Sequence, residues 1–195
     1  MTTITSAVYR AAKQHSEVAG DVYFEKKNKD YYICSIADGL GSGKNARESA
    51  LVMPEIIEQY SMESVASLMQ RCNVALKGKR GAAVAIAKVH YATKQIEYSS
   101  IGNVQMYMIG ENDKLIYPIP QAGFLSGRSQ TVKTDHINYQ TASRFFMHSD
   151  GITVRRPGEL LKNHHSANAM IQAVIPTVDF KDDATMIAVE ITQAT

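Results

Sequence analysis

Cysteine is scarce in this chain of 195 residues: Cys34 and Cys72 are far apart and form no Cys-x-x-Cys arrangement. Cys34 falls in an apolar run and Cys72 on a helical apolar face, so both read as buried thiols. That usage fits a reducing compartment, although two cysteines can also close a single disulfide. Charge of either sign is not in excess: 21 Lys and Arg against 19 Asp and Glu give +2. So small a balance gives no argument for nucleic acid or a membrane surface as partner. The one basic cluster, Lys26-Lys27-Asn28-Lys29, reads as a solvated hairpin tip rather than a phosphate-steering patch. No stretch approaches the roughly 20 apolar residues of a membrane span. The start, Met1 to Arg10, lacks a basic head followed by an apolar core, so a cytoplasmic protein is expected. There is no internal repeat, linker or low-complexity stretch, which leaves a single domain over residues 1–195.

What is present is organised around Ala37-Asp38-Gly39-Leu40-Gly41-Ser42-Gly43. The apolar run Tyr31–Ala37 stops at an acid, three glycines follow in five residues, and a helical pattern starts at Lys44. This is a strand-to-loop-to-helix junction. It places Asp38 at a strand end, with Gly39 and Gly41 permitting close backbone approaches. Upstream, residues 3–12 read as an edge strand, and Asp21–Lys27 with Tyr31–Ala37 as a hairpin turning at Asn28-Lys29-Asp30. Asn45–Tyr60 carries apolar residues at helical spacing, with Pro54 expected to kink or restart the helix. Ser64–Leu76 repeats the pattern, with Gly78 at the expected stop. Downstream, Ala82–Tyr91, Ile96–Ile101, Val104–Ile109 and Leu115–Ile119 are joined by short turns and predict an antiparallel meander. Residues 120–140 read as irregular. Arg144–His148 is a short strand delivering Asp150, Pro157–Lys162 and Ala167–Val174 are short helices, and Thr185–Thr192 is a closing strand. The order predicts an α+β fold, with helices covering two packed sheets.

Acids recur at element edges in Gly20-Asp21, Asp38-Gly39, Ser149-Asp150-Gly151 and Lys181-Asp182-Asp183. Taken singly, each Asp reads as a turn or helix cap. Together they suggest a converging carboxylate cluster, which repels itself unless a cation holds it; hard oxygen ligands suit Mg²⁺ or Mn²⁺. Asp38 is placed to bridge two cations, Asp150 and Asp182 completing one site, Asp21 and the Gly39 carbonyl the other. Two such ions roughly 3.5–4 Å apart polarise a phosphoryl group for in-line attack.

In this order and spacing the acid motifs resemble the signature of the metal-dependent type 2C (PPM) serine/threonine phosphatases. The resemblance is strongest to the bacterial branch that regulates sporulation and general stress. It runs nearly end to end and includes Arg71-Cys72-Asn73, Lys79-Arg80-Gly81-Ala82, Ile101-Gly102-Asn103-Val104 and Gly123-Phe124-Leu125-Ser126-Gly127. It implies a four-layer α-β-β-α sandwich of two antiparallel sheets flanked by helices, with two Mn²⁺ or Mg²⁺ ions at one end. It implies Asp38 as bridging ligand, Gly39 as carbonyl ligand, and Asp21, Asp150 and Asp182 as outer ligands, with catalysis resting on Asp38 and Asp150. Asp182, not Asp183, matches the ligand position, and Asp183 is left to support or capping. The nucleophile implied is a metal-bound water. The partners implied are phosphorylated proteins of a bacterial stressosome, its scaffold and antagonist, dephosphorylated by a monomer to reset the stress response.

The chain departs from the wider family in two places. Leu40 stands where eukaryotic members have the His proposed to protonate the leaving alcohol, and Arg10 has no phosphate-binding motif around it. The loop after the meander is too short for a large substrate-gripping flap. Other chemistries fit less well. Gly43-Lys44 lacks the remaining residues of a P-loop, with Asp38 and Asn45 at two required positions. Ser42 and Cys34 lack a base partner for a nucleophilic triad. His148 shares strand parity with Asp150 but reads as a hydrogen-bonded core residue, and His164-His165 as exposed. A non-catalytic phosphoprotein-binding module has no need of self-repelling acids, and a metallophosphodiesterase usually brings histidine ligands that these motifs lack.

Overall fold

The computed structural model describes residues 2–14, 19–110 and 113–193. The described residues form ten strands and five α-helices. They are β1 (Thr2–Ala11), β2 (Val22–Lys27), β3 (Tyr31–Gly39), α1 (Lys44–Ala50), α2 (Val52–Tyr60), α3 (Val65–Ala75), β4 (Ala82–His90) and β5 (Gln95–Ile101). There follow β6 (Gln105–Ile109), β7 (Leu115–Ile116), β8 (Asp135–Asn138), β9 (Ser143–His148), α4 (Pro157–Asn163), α5 (Ala167–Val174) and β10 (Ala184–Gln193). They form two five-stranded antiparallel sheets, ordered β1-β10-β9-β6-β7 and β2-β3-β4-β5-β8.

The layering follows from which faces are apolar. The facing surfaces of the sheets bury Tyr32, Cys34, Ile36 and Ala85 against Met106, Phe145, Met147 and Val189. The outer face of the second sheet buries Ile33, Val84 and Ile86 under Met53, Ile57, Leu68 and Cys72 of α2 and α3. The outer face of the first buries Phe146, Met186 and Ala188 under Leu161, Met170 and Ile171 of α4 and α5. Strands β3 and β4 are therefore covered on both sides, which is why they read as near-continuous apolar runs. The four-layer α-β-β-α sandwich is present as expected. Both cysteines are free and buried, and burial pushes the thiol pKa of each upward, Cys72 to about 12.

Five local expectations are corrected. The helix over 45–60 divides at Leu51, not at Pro54. Pro54 has no N–H to offer the carbonyl of Ala50 and its ring crowds that group, so the break falls one turn upstream. The meander does not continue past β5: after Gly102-Asn103 the chain crosses to the other sheet, where β6 pairs with β9 and β7. The short connection looks like a hairpin turn in the sequence because a sheet-to-sheet crossing needs no more residues. Strand β7 stops at Ile116, since Pro118 and Pro120 cannot donate to a ladder. Within the stretch read as irregular, β8 adds an edge strand to β5. His164 is half-buried and its Nδ1 lies 2.9 Å from the Leu160 carbonyl at the end of α4.

Phe145 is fully buried between the sheets. Phe145→Ala is expected to destabilise the protein by about 3–5 kcal/mol, read as a lower urea midpoint with an unchanged slope.

Candidate metal centre

Strand direction decides where the acids go. Strand β2 runs antiparallel to β3, with Val22 opposite Ala37, so Asp21 before β2 lies beside Asp38 near the end of β3. Strand β9 runs antiparallel to β10, with His148 opposite Met186, so Asp150 after β9 lies beside Asp182-Asp183 before β10. Two of these junctions belong to one sheet and two to the other. All four open at the same end of the sandwich.

Two small side chains tie the sheets together there. Asn103, on the crossing between β5 and β6, donates from Nδ2 to Asp38 Oδ2 at 3.0 Å and to Asp150 Oδ2 at 2.6 Å. Gly102 makes this possible: its φ is +97°, and a Cβ there would sit 2.4 Å from the Ala83 Cβ. Ser149 donates from Oγ to Asp21 Oδ2 at 2.6 Å and accepts from the Thr185 N–H at 3.0 Å. Gly39 lies against α1, where a Cβ would meet the Ala46 carbonyl oxygen at 1.8 Å. Asp183 accepts the N–H groups of Lys13 at 2.9 Å and Gly20 at 2.6 Å, so it brackets the segment entering Asp21. Asp182 is exposed and accepts only the Asp183 N–H, at 2.8 Å, among the described residues. Asp182 thus keeps most of its carboxylate free, whereas Asp183 is engaged by two backbone donors.

The cluster is electrostatically unbalanced. Burial, then repulsion from Asp38, raises the Asp21 carboxyl from the ordinary 3.8 to about 8, against the lowering effect of the Ser149 hydroxyl. Burial likewise raises Asp38 to about 6; the Asn103 amide lowers it, and Asp150, Asp182 and Asp183 repel it. Among the described residues no Lys, Arg or His pairs with any of the five acids. Nor do three of their side chains converge on one ligand point, for the Asn103 amide stands between Asp38 and Asp150 and Asp21 is turned onto Ser149. An oxygen-only set of crowded, partly buried carboxylates fits hard divalent cations. His148 takes no part: it is buried beside Tyr107 and Phe146, with Nδ1 2.8 Å from the Ser149 carbonyl. Sequence reading missed Asn103 and Ser149 as functional residues; Gly-Asn looks like turn chemistry, and Ser149 looks like a flank of Asp150.

Two antiparallel sheets between helices, with carboxylates gathered at one end, define a type 2C phosphatase architecture. Residues 28–192 match the SpoIIE family, Stage II sporulation protein E, and the chain belongs to that family. It is 37% identical over 185 residues to the phosphoserine phosphatase RsbX of Bacillus subtilis (strain 168), covering 94% of this chain and 93% of that one. A crystal structure of RsbX in complex with magnesium superposes with a TM-score of 0.93 at 36% identity, over 97% of this chain and 96% of that one. Likeness in fold alone extends to the PP2C phosphatase domain of SpoIIE from Bacillus subtilis, with TM-score 0.78 and 16% identity over 96% of this chain and 63% of that one. It also extends to the catalytic domain of the serine/threonine phosphatase PstP in complex with two manganese ions, with TM-score 0.74 and 10% identity over 99% and 100% of the two chains.

Both raised carboxyls bind protons more tightly folded than unfolded, so these two groups contribute most to the stability of the metal-free protein at acid pH. In chelator, stability is expected to fall as pH rises from about 4 to about 8, the interval set by the ordinary 3.8 and the value for Asp21. Asp21→Asn removes most of that slope, and millimolar Mg²⁺ or Mn²⁺ flattens it in the unaltered chain. Thermal unfolding across pH, with and without metal, checks all three.

Proposed function

We propose that this chain hydrolyses phosphoserine and phosphothreonine on proteins, with divalent cations held by Asp21, Asp38, the Gly39 carbonyl, Asp150 and Asp182. The observation that carries the reading is the Asn103 amide shared by Asp38 and Asp150, which brings together acids from different sheets beside the buried Asp21. When bound, a pair of Mg²⁺ or Mn²⁺ ions supplies a nucleophilic water at neutral pH and neutralises charge on the phosphoryl oxygens. The residues of the chain do the rest. Asp38, delivered by β3, would hold both cations, with Asp150 and Asp182 offered from the other sheet. Asn103 fixes the spacing of Asp38 and Asp150, and Ser149 fixes the rotamer of Asp21. Leu40 has no proton to give to the leaving alkoxide.

The likeness to RsbX supports phosphoserine as the substrate group. By the same likeness we assign the substrates to phosphorylated stressosome proteins, scaffold and antagonist, whose dephosphorylation resets the stress response. A binding module with the same fold is the second reading, and the crowded acids stand against it: they cost stability in a protein with no cation to hold.

The test is phosphate release from a phosphoserine protein with Mn²⁺, with chelator, and with Asp38→Asn. That substitution removes charge but little volume, so the fold survives by circular dichroism. Turnover is expected to drop by roughly 100- to 1000-fold or more. A folded Asp38→Asn protein with an intact rate would sink the metal mechanism.

A further inference from the structure

The end of the sandwich that carries the acids has a basic and apolar lip on its β3–β4 side. The Leu40 N–H donates to the Gly81 carbonyl at 3.0 Å, extending that ladder one step beyond the pairing of Gly39 with Ala82. Arg80 therefore stands at the next position, and its guanidinium lies over the backbone of Gly41. A Cβ on Gly41, whose φ is +93°, would meet Arg80 Nη1 at 2.7 Å. Gly81, with φ +102°, makes room in the same way: a Cβ there would meet the Leu125 carbonyl oxygen at 2.6 Å, the Phe124 ring at 2.9 Å and Leu40 Cδ1 at 3.3 Å. Two glycines thus let Arg80, Leu40 and Phe124 crowd onto one lip, beginning two residues past Asp38.

The lip is fixed in place and its side chains are unspent. Leu125 exchanges two backbone hydrogen bonds with Ala82, at 2.9 and 3.0 Å. Asn73 accepts the N–H groups of Ser126 and Gly127 through Oδ1 and donates to the Arg128 carbonyl at 2.7 Å. On this clamped loop the Phe124 side chain is 42% exposed. Arg80 is exposed and, among the described residues, forms no ion pair with an acid. Exposed Lys77, Lys79 and Arg128 on the flanking segments likewise form none. A substrate phosphate approaching five carboxylates needs a cation on the protein side, and a guanidinium meets phosphate oxygens through two parallel N–H donors.

We propose that Arg80 binds the phosphoryl group of the substrate at the lip of the site, with Phe124 and Leu40 forming the shelf for the residue beside the phosphorylated side chain. The assignment rests on the phosphatase reading above. It differs from Arg10, which is exposed on the edge strand β1 of the other sheet.

Kinetics on a phosphoserine peptide and on p-nitrophenyl phosphate separate the two parts of the lip. Arg80→Ala is expected to raise KM for both by roughly 10- to 100-fold, to weaken inhibition by inorganic phosphate by a similar factor, and to leave kcat within a few-fold. Arg80→Lys recovers part of the loss, since a point charge replaces the fork. Phe124→Ala raises KM for the peptide several-fold and leaves that for p-nitrophenyl phosphate unchanged, because only the peptide has a flanking residue. Active, folded Arg80→Ala enzyme with unaltered KM and phosphate inhibition overturns the assignment while sparing the phosphatase reading. So does a matching KM effect from Arg10→Ala in its place. If the unaltered chain, folded and metal-loaded, turns over nothing, the phosphatase reading fails instead. Calorimetry with the phosphorylated peptide then decides Arg80: weaker binding by Arg80→Ala supports its role, and equal binding overturns it.

Discussion

Repulsion among carboxylates where the two sheets end is the constraint on which this molecule depends. Asp21 is buried and Asp38 half-buried, the charge of Asp38 repels that of Asp21, and both carboxyls are pushed above their ordinary range. Left alone, such a cluster favours protonation or separation of the strands that carry it. Two neutral donors, the Asn103 amide and the Ser149 hydroxyl, hold it in place without neutralising it. Unspent negative charge is what a cation site requires, because a Lys or Arg in the same position would satisfy the acids and close it.

The body of the fold supplies what that arrangement demands. Of the four strands that carry these acids at their ends, β3, β9 and β10 lie inside their sheets, covered by the facing sheet on one side and helices on the other, and β2 is an edge strand paired along its length to β3. Their buried apolar side chains oppose the repulsion at their tips through area removed from water. The unfavourable term is thereby confined to one end, and the stabilising terms are spread over the remaining length of the strands.

Much of this was legible in the chain before any coordinates. Acid-glycine pairs at the edges of apolar runs marked the strand ends, and runs such as Tyr31–Ala37 marked strands covered on both faces. The four acids came together because each motif encodes a local strand boundary, and antiparallel pairing does the rest. What escaped was long-range. Gly102-Asn103 looks the same in sequence whether it turns a hairpin or carries the chain between sheets, and only the pairing of β6 with β9 separates the two. Asn103 gains its role from that crossing, so no local pattern announces it. Pro54 was recognised as a breaker, but its effect falls on the carbonyl four residues earlier, so the helix parts at Leu51.

Glycine placement shows how neighbouring elements come close to the acids. Gly39 admits α1 against the end of β3, Gly102 admits the crossing over Ala83, and Gly41 and Gly81 admit Arg80, Leu40 and Phe124 to the lip. Each is a place where a Cβ would collide with backbone or with a side chain at the site. The glycines are thus spaces through which neighbouring elements reach the acids. A cation-holding centre needs acids without basic partners, whereas a phosphate-gripping lip needs a basic group without an acidic one. Keeping the two unsatisfied sets apart by one turn of backbone, with Leu40 between them, prevents each from cancelling the other. A substrate phosphate with its cations would satisfy both at once.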